Sequence, residues 1–244
     1  MKFQEILVEE SEDGIGIIRF NRPEKRNAIT IQMRREISAC LSNWKHTPRI
    51  GVVIFTGVGS SFSAGFDLTE FTNPNIFGDL LDSSSRYHRD IWYFTKPIIS
   101  AINGLSLGGG FDLATLCDIR LCSKSASFGH PEIKFGAPPI ITPLKWIVGE
   151  GHARNLCLTG RKIDSEEAYR IGLVSEVVED DELLQRATHL AKTILEAPID
   201  TLEFTKTYFI ANSGKGFEES FYLEHDKAFQ EILLKKAKKS FNKL

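Results

Sequence analysis

Apolar and polar positions change period several times along this chain, and the changes mark out short strands and longer helices. Alternation after an Asp13-Gly14 turn, through Gly14-Ile15-Gly16-Ile17-Ile18-Arg19-Phe20, predicts the second strand of a hairpin. Thr30 then precedes a stretch in which Ile31, Met33, Ile37, Leu41 and Trp44 form an apolar face, which predicts a capped helix to about His46. The run Val52-Val53-Ile54-Phe55-Thr56 predicts a buried strand. Residues 73–86, rich in Asn, Ser, Gly and Asp, predict a mobile loop leading into a helix that ends near Lys96-Pro97. A strand over 97–102 runs into a glycine turn, and 118–122 and 126–129 read as further short strands. From about Ser165 the pattern is mostly helical, interrupted at Gly172-Leu173-Val174-Ser175-Glu176-Val177-Val178. Strands therefore concentrate in the first two thirds, with no low-complexity linker and no repeat visible in the residues.

Composition narrows the function classes. With 244 residues, 42% of them hydrophobic, the chain can bury a substantial core. No apolar run approaches the roughly 20 residues that span a bilayer, and the acidic N-terminus lacks the features of a secretory or organelle signal. A cytoplasmic, membrane-independent location is the expectation. The net charge of −2 gives no global drive toward nucleic acid. Local basic clusters at Arg22-Pro23-Glu24-Lys25-Arg26 and over 235–243 read either as solvated helix ends or as phosphate contacts. Cys40, Cys117, Cys122 and Cys157 lack ligand or disulfide spacing, so buried reduced thiols and no metal site are expected.

Two glycine-bearing segments carry the chemistry. Phe62-Ser63-Ala64-Gly65-Phe66-Asp67-Leu68 and Asn103-Gly104-Leu105-Ser106-Leu107-Gly108-Gly109-Gly110-Phe111-Asp112 each turn and then open toward a helix. Glycine admits positive φ and close approach of a ligand, so such turns can aim free peptide N–H groups into a cleft. Two of them converging on one carbonyl oxygen would form an oxyanion hole. Asp112 and, further on in Phe128-Gly129-His130-Pro131-Glu132, Glu132 could act as acid and base. Taken singly, they read as a helix first-turn acid and a loop carboxylate.

These segments, with Asn21-Arg22-Pro23-Glu24-Lys25-Arg26-Asn27-Ala28, Lys96-Pro97-Ile98-Ile99-Ser100-Ala101-Ile102-Asn103-Gly104, Leu158-Thr159-Gly160 and Glu167-Ala168-Tyr169-Arg170-Ile171-Gly172-Leu173-Val174, resemble the enoyl-CoA hydratase/isomerase (crotonase) family over nearly the whole chain. The resemblance implies an α/β chain of crotonase, ClpP-like fold. A spiral of ββα repeats would occupy 1–195, and a helical C-terminal region used in trimerisation would occupy 196–244. It implies homotrimers or hexamers and a coenzyme A thioester as substrate, with no cofactor beyond the CoA that the substrate carries. It places the oxyanion donors on the Phe66 and Gly109 N–H groups and the acid–base pair on Asp112 and Glu132. It sets Lys25, Ala28, Ala64, Asp67, Leu68 and Gly108 along the CoA and acyl path, Trp92 and Trp146 (with Phe94) in the acyl pocket, and Phe241 and Lys243 near phosphate.

Departures from the family pattern matter. Asp112 stands where most family hydratases have Glu, so its carboxylate reaches less far by roughly 1.5 Å, one C–C bond. Ala137-Pro138-Pro139-Ile140-Ile141-Thr142-Pro143 replaces the usual pocket-building run. Ile140 and Pro138 stand where dienoyl isomerases and the dehalogenase and hydrolase branches carry Asp, which removes those chemistries. Hydration of a 2-enoyl-CoA is the leading expectation, a double-bond shift with Glu132 as base the alternative, and RNA binding through Arg34 and Arg35 or an inactive scaffold the outlying ones. His130 reads as structural.

Overall fold

The computed structural model describes residues 3–212 and 214–227. In chain order it forms β1 (Ile6–Glu10), β2 (Ile15–Phe20), α1 (Ile31–Lys45), β3 (Val52–Gly57), β4 (Ser61–Ser63), α2 (Phe77–Trp92), β5 (Ile98–Ile102), β6 (Leu105–Leu107), α3 (Gly109–Leu116), β7 (Ile119–Ser123), β8 (Ser127–Gly129), α4 (Thr142–Thr159), β9 (Lys162–Asp164), α5 (Ser165–Arg170), β10 (Glu176–Val178), α6 (Leu183–Leu195), α7 (Ile199–Ala211) and α8 (Phe217–Phe221). Strands β1 and β2 pair antiparallel as the hairpin that the Asp13-Gly14 turn predicts. Thr30 caps α1 by accepting the Met33 N–H, a bond of the kind that contributes about 1 kcal/mol.

Two sheets carry the architecture: β1-β2-β3-β5-β7-β10 and β4-β6-β8-β9. The chain passes between them three times, β3 to β4, β5 to β6 and β7 to β8, with α2, α3 and α4 following in turn. Each passage is one ββα unit, so the structure repeats where the residues do not. Within the sheets, β2, β3, β5, β7 and β10 run parallel, as do β4, β6 and β8. The large sheet is covered on both faces, by α6 on one and by the helices of the main core on the other. That burial explains why β3 and β5 are unbroken apolar or small-residue runs instead of alternating ones.

One predicted element needs correcting. Residues 73–86 are not a loop: after short 3-10 turns, α2 already begins at Phe77. Its Leu80, Ser83, Tyr87 and Ile91 are buried at helical spacing, and this face outweighs the polar, glycine-bearing composition. All four cysteines are free and buried. Among the described residues, no helix is long and apolar enough to cross a membrane.

A partly buried ionic cluster fastens α7 to the core. Lys206 Nζ donates to the Lys96 carbonyl at 2.9 Å and pairs with Asp118 at 2.8 Å. Asp118 also accepts the Ile98 N–H that opens β5, and Lys96 Nζ donates to the carbonyls of Trp44, in the last turn of α1, and Thr47, just past it.

Candidate active site

The catalytic candidates sit where the second strand of each ββα unit gives way to its helix. Gly65, after β4, has φ +98°, and a Cβ there would lie 2.9 Å from the Leu107 carbonyl oxygen and 3.3 Å from the Gly109 nitrogen. The first glycine turn therefore presses directly against the second. Phe66 pairs in a parallel bridge with Ile29, using the Gly65 carbonyl and the Asp67 N–H. Backbone groups alternate in direction along an extended segment, so the intervening Phe66 N–H points away from that bridge. Among the described residues, neither it nor the Gly109 N–H donates to another residue. Gly109 opens α3, where the first N–H groups have no intrahelical acceptor.

This turn is held from behind. Arg22 donates to the Ala28 carbonyl at 2.7 Å and to Asp67 at 2.9 Å, and Ala64 N–H donates to the Arg26 carbonyl. Glu70 accepts the first N–H of α1, from Ile31, and pairs with Arg34, whose guanidinium lies 4.7 Å from the Phe66 ring centroid. Arg22 is thus spent inside the fold, which corrects its reading as a phosphate contact. Buried Arg34 is likewise not offered to RNA, and Arg35 pairs with Asp79. Burial pushes the Asp67 carboxyl up, but bonds from Thr69 and Arg22 outweigh it and hold the group below its usual range. A depressed carboxylate stabilises the fold above its unfolded value of about 3.9, and that contribution is lost as pH falls through the folded value. Arg22→Leu is accordingly expected to cost about 1–3 kcal/mol at pH 7 in urea unfolding. The deficit relative to wild type should shrink below pH 4; a pH-independent deficit would mean that Asp67 is not its source.

Asp112 lies in the first turn of α3 and is buried at 7% exposure. His130 is fully buried, its ring packed 4.7 Å from that of Phe111. Its Nδ1 lies 2.8 Å from Glu132 Oε1 and its Nε2 lies 3.9 Å from Asp112 Oδ1. The imidazole therefore stands between the two carboxylates. Asp112 Oδ1, His130 Nε2 and Glu132 Oε2 have no hydrogen-bond partner among the described residues, an arrangement that costs stability and points to a reacting site. Burial drives the Asp112 carboxyl up to about 7; His130 pulls it down, Glu132 pushes it up and the Ile140 N–H lowers it. Gly108, with φ +49°, lets Glu132 approach: a Cβ there would sit 3.1 Å from Glu132 Oε2. Ligand atoms of these three side chains lie within 4.8 Å of one another. The carboxylates approach opposite ring nitrogens, so the imidazole stands between them.

An apolar cavity of about 780 Å³ lies beyond this cluster, between α7 and the ends of α2, α3 and α4. Trp92 and Trp146 line it, their ring centroids 5.6 Å apart, whereas Phe94 is core beneath Lys206. Asp112, Glu132, Phe66 and Gly109 are not among its lining residues.

A family model described as enoyl-CoA hydratase/isomerase matches residues 10–243 of this chain. The chain belongs to that family. Its relatives include probable enoyl-CoA hydratases of Mycobacterium leprae, 39% identical over 199 residues (80% of this chain, 76% of the relative), and of Rhizobium meliloti, 32% identical over 255 residues (99% of each). Among solved structures, the enoyl-CoA hydratase of Bacillus anthracis superposes with a TM-score of 0.89 at 28% identity, covering 94% of this chain and 91% of that one. The crotonase fold is shared with these structures.

For this member of the hydratase/isomerase family, the residues that the motifs single out fall into three groups. Phe66, Gly108, Gly109, Asp112 and Glu132 come together, with His130 between the acids. Lys25, Ala28, Ala64, Asp67 and Leu68 lie along the laced turns behind Phe66, with Lys25 and Leu68 exposed and the Asp67 carboxylate engaged by Arg22 and Thr69. Trp92 and Trp146 share the cavity. Phe241 and Lys243, with the basic run over 235–243, lie outside the described residues. Sequence reasoning missed Arg22 and Arg34 as supports and His130 as the buried ring between the acids. A histidine two residues before a motif glutamate was the available signal.

Proposed function

We propose that the protein adds water across the 2,3 double bond of an enoyl-CoA thioester. The observation that carries this reading is the pair of carboxylates, buried Asp112 and half-buried Glu132, set on either side of His130 and beside two unspent backbone N–H groups. Attack on the β-carbon pushes negative charge onto the thioester oxygen, which the Phe66 and Gly109 N–H groups would stabilise; one such donor typically contributes about 2.7–4 kcal/mol. The positive end of α3 adds to this field.

The pair starts with one proton between its members. In the reacting form of the pair the shared proton sits on Glu132, so that Asp112 takes a proton from water as the oxygen bonds to the β-carbon and Glu132 delivers its proton to the α-carbon. A carboxyl with a pKa near 7 suits this exchange at neutral pH. The extra proton then returns from Asp112 to Glu132; His130, 2.8 Å from Glu132 and 3.9 Å from Asp112, lies between them. The balance is one water consumed and the pair restored. Lys25 and the backbone around Ala28 and Ala64 are assigned to the nucleotide end of CoA, and a homotrimer or hexamer in the cytoplasm is the assembly and location proposed with this activity.

The test is mass spectrometry of 2-enoyl-CoA and 3-enoyl-CoA esters after incubation with the protein. A gain of one water is expected from the 2-enoyl esters. An isomerised product of unchanged mass, still formed by Asp112→Asn, would instead make Glu132 a solitary base and establish the double-bond shift.

A further inference from the structure

Three elements that meet at the catalytic cluster also run on to the cavity. On α2, His88 packs against Phe66 with ring centroids 6.0 Å apart, and Trp92, four residues later on the same face, lines the cavity. On α3, Asp112 belongs to the cluster, and Leu116, again four residues later, lines the cavity. Ile140 directs its N–H at Asp112, and Pro143 and Trp146, just beyond it at the start of α4, line the cavity. Three independent elements therefore give the same direction. A substrate bound with its β-carbon at Asp112 has its remaining carbons aimed along α2 and α3 into this space.

The lining decides what the space can hold. Its charged groups are already matched: Lys206 with Asp118 and the Lys96 carbonyl, Arg120 with the Leu173 and Cys117 carbonyls. Trp92, Leu116, Trp146 and, from α7, Leu202 and Phe209 present apolar surface there. A rise of about 1.5 Å per residue puts Leu116 roughly 6 Å past Asp112. An extended chain advances roughly 1.3 Å per carbon, given a C–C bond of about 1.5 Å. About five carbons beyond the β-carbon are needed to reach the cavity, so a four-carbon acyl group stops short of it.

We infer that the substrate of this site carries an extended apolar acyl chain of about eight carbons or more, whose far end is enclosed by α7. This inference rests on the reading of the cluster as an enoyl-CoA site. It also makes α7 a specificity element and not only a buttress.

Binding of non-reacting saturated esters tests it separately from turnover. Titration calorimetry of butyryl-, hexanoyl-, octanoyl-, decanoyl- and dodecanoyl-CoA should show weak gains up to the octanoyl ester. Beyond it, each added methylene should tighten binding by about three- to fourfold. Leu202→Trp, at a half-buried position on α7, fills the cavity and should weaken decanoyl-CoA at least tenfold while leaving butyryl-CoA within twofold. Trp146→Ala, at an exposed position, should also weaken the decanoyl ester selectively by removing a wall. Equal affinity for short and long esters, absence of binding to either, or equal losses for both in the variants overturns the inference. Chain-length-dependent binding with no hydration of the matching enoyl esters would sustain it and overturn the hydratase reading instead. A ring-bearing ester that outcompetes every straight chain would also overturn it.

Discussion

Asp112→Asn is expected to abolish turnover and, at the same time, to raise the thermal midpoint of the protein above pH 7. The activity loss follows from removing the group proposed to accept the proton of water, an acid–base contribution of about 10²–10⁴-fold. The stability gain follows from linkage. Burial holds the folded Asp112 carboxyl at about 7, well above its unfolded value near 3.9. The folded state therefore binds this proton more tightly, so the group's contribution is complete below pH 4, declines between pH 4 and 7 and stays at a deficit above. An uncharged amide escapes that deficit, on the order of 1–3 kcal/mol or a few degrees in Tm for a chain of this size. The two proteins should converge in stability near pH 4. Glu132→Gln should lose activity to a similar degree. A destabilised Asp112→Asn at pH 8 would show that the buried charge is already compensated and that the carboxylate is structural.

The second large effect belongs to a position that no reacting atom touches. Gly65→Ala is expected to cut kcat by about 10²–10³-fold, because its methyl would press on the Leu107 carbonyl and the Gly109 nitrogen and spread the two donors apart. The left-handed backbone at φ +98° adds roughly 1–2 kcal/mol of strain for any side chain. Gly172→Ala separates the two contributions: with φ +76° and open space around it, it carries the strain but no collision. Steady-state kinetics should show kcat lowered only in Gly65→Ala, with affinity for CoA esters within a few fold. Equal kinetic losses in both variants would trace the effect to general destabilisation.

Much of this molecule is legible in its residues, and the illegible parts have specific causes. The Asp13-Gly14 hairpin, the Thr30 cap and the buried β3 follow from local rules that tertiary contacts reinforce. The start of α2 does not, since Asp79, Asp82 and Ser84 mask an apolar face whose partner, α1, lies far away in sequence. The ββα repetition is invisible because β3, β5 and β7 share a position in a sheet buried on both sides, which demands bulk and apolarity but no particular residue. Phe66, Gly109, Asp112 and Glu132 stand out through motif context. His130 does not: a single histidine says nothing until the fold places carboxylates at both of its nitrogens. Arg22 looks like surface charge in a basic run, and only the return of the chain at Asp67 makes it internal.

The smaller sheet has a consequence for how this chemistry can change. Its strands β4, β6 and β8 lie side by side, and each ends at one component: the Phe66 donor, the Gly109 donor with Asp112, and the His130–Glu132 unit. Neighbouring strands are spaced by about 4.8 Å whatever side chains they carry. The sheet therefore works as a ruler, fixing the spacing of the Phe66 N–H, the Gly109 N–H with Asp112, and the His130–Glu132 unit through backbone pairing alone. Residues at the three strand ends can be exchanged without moving the graduations, so new reactions on the same thioester need substitutions at the marks and no redesign of the scale.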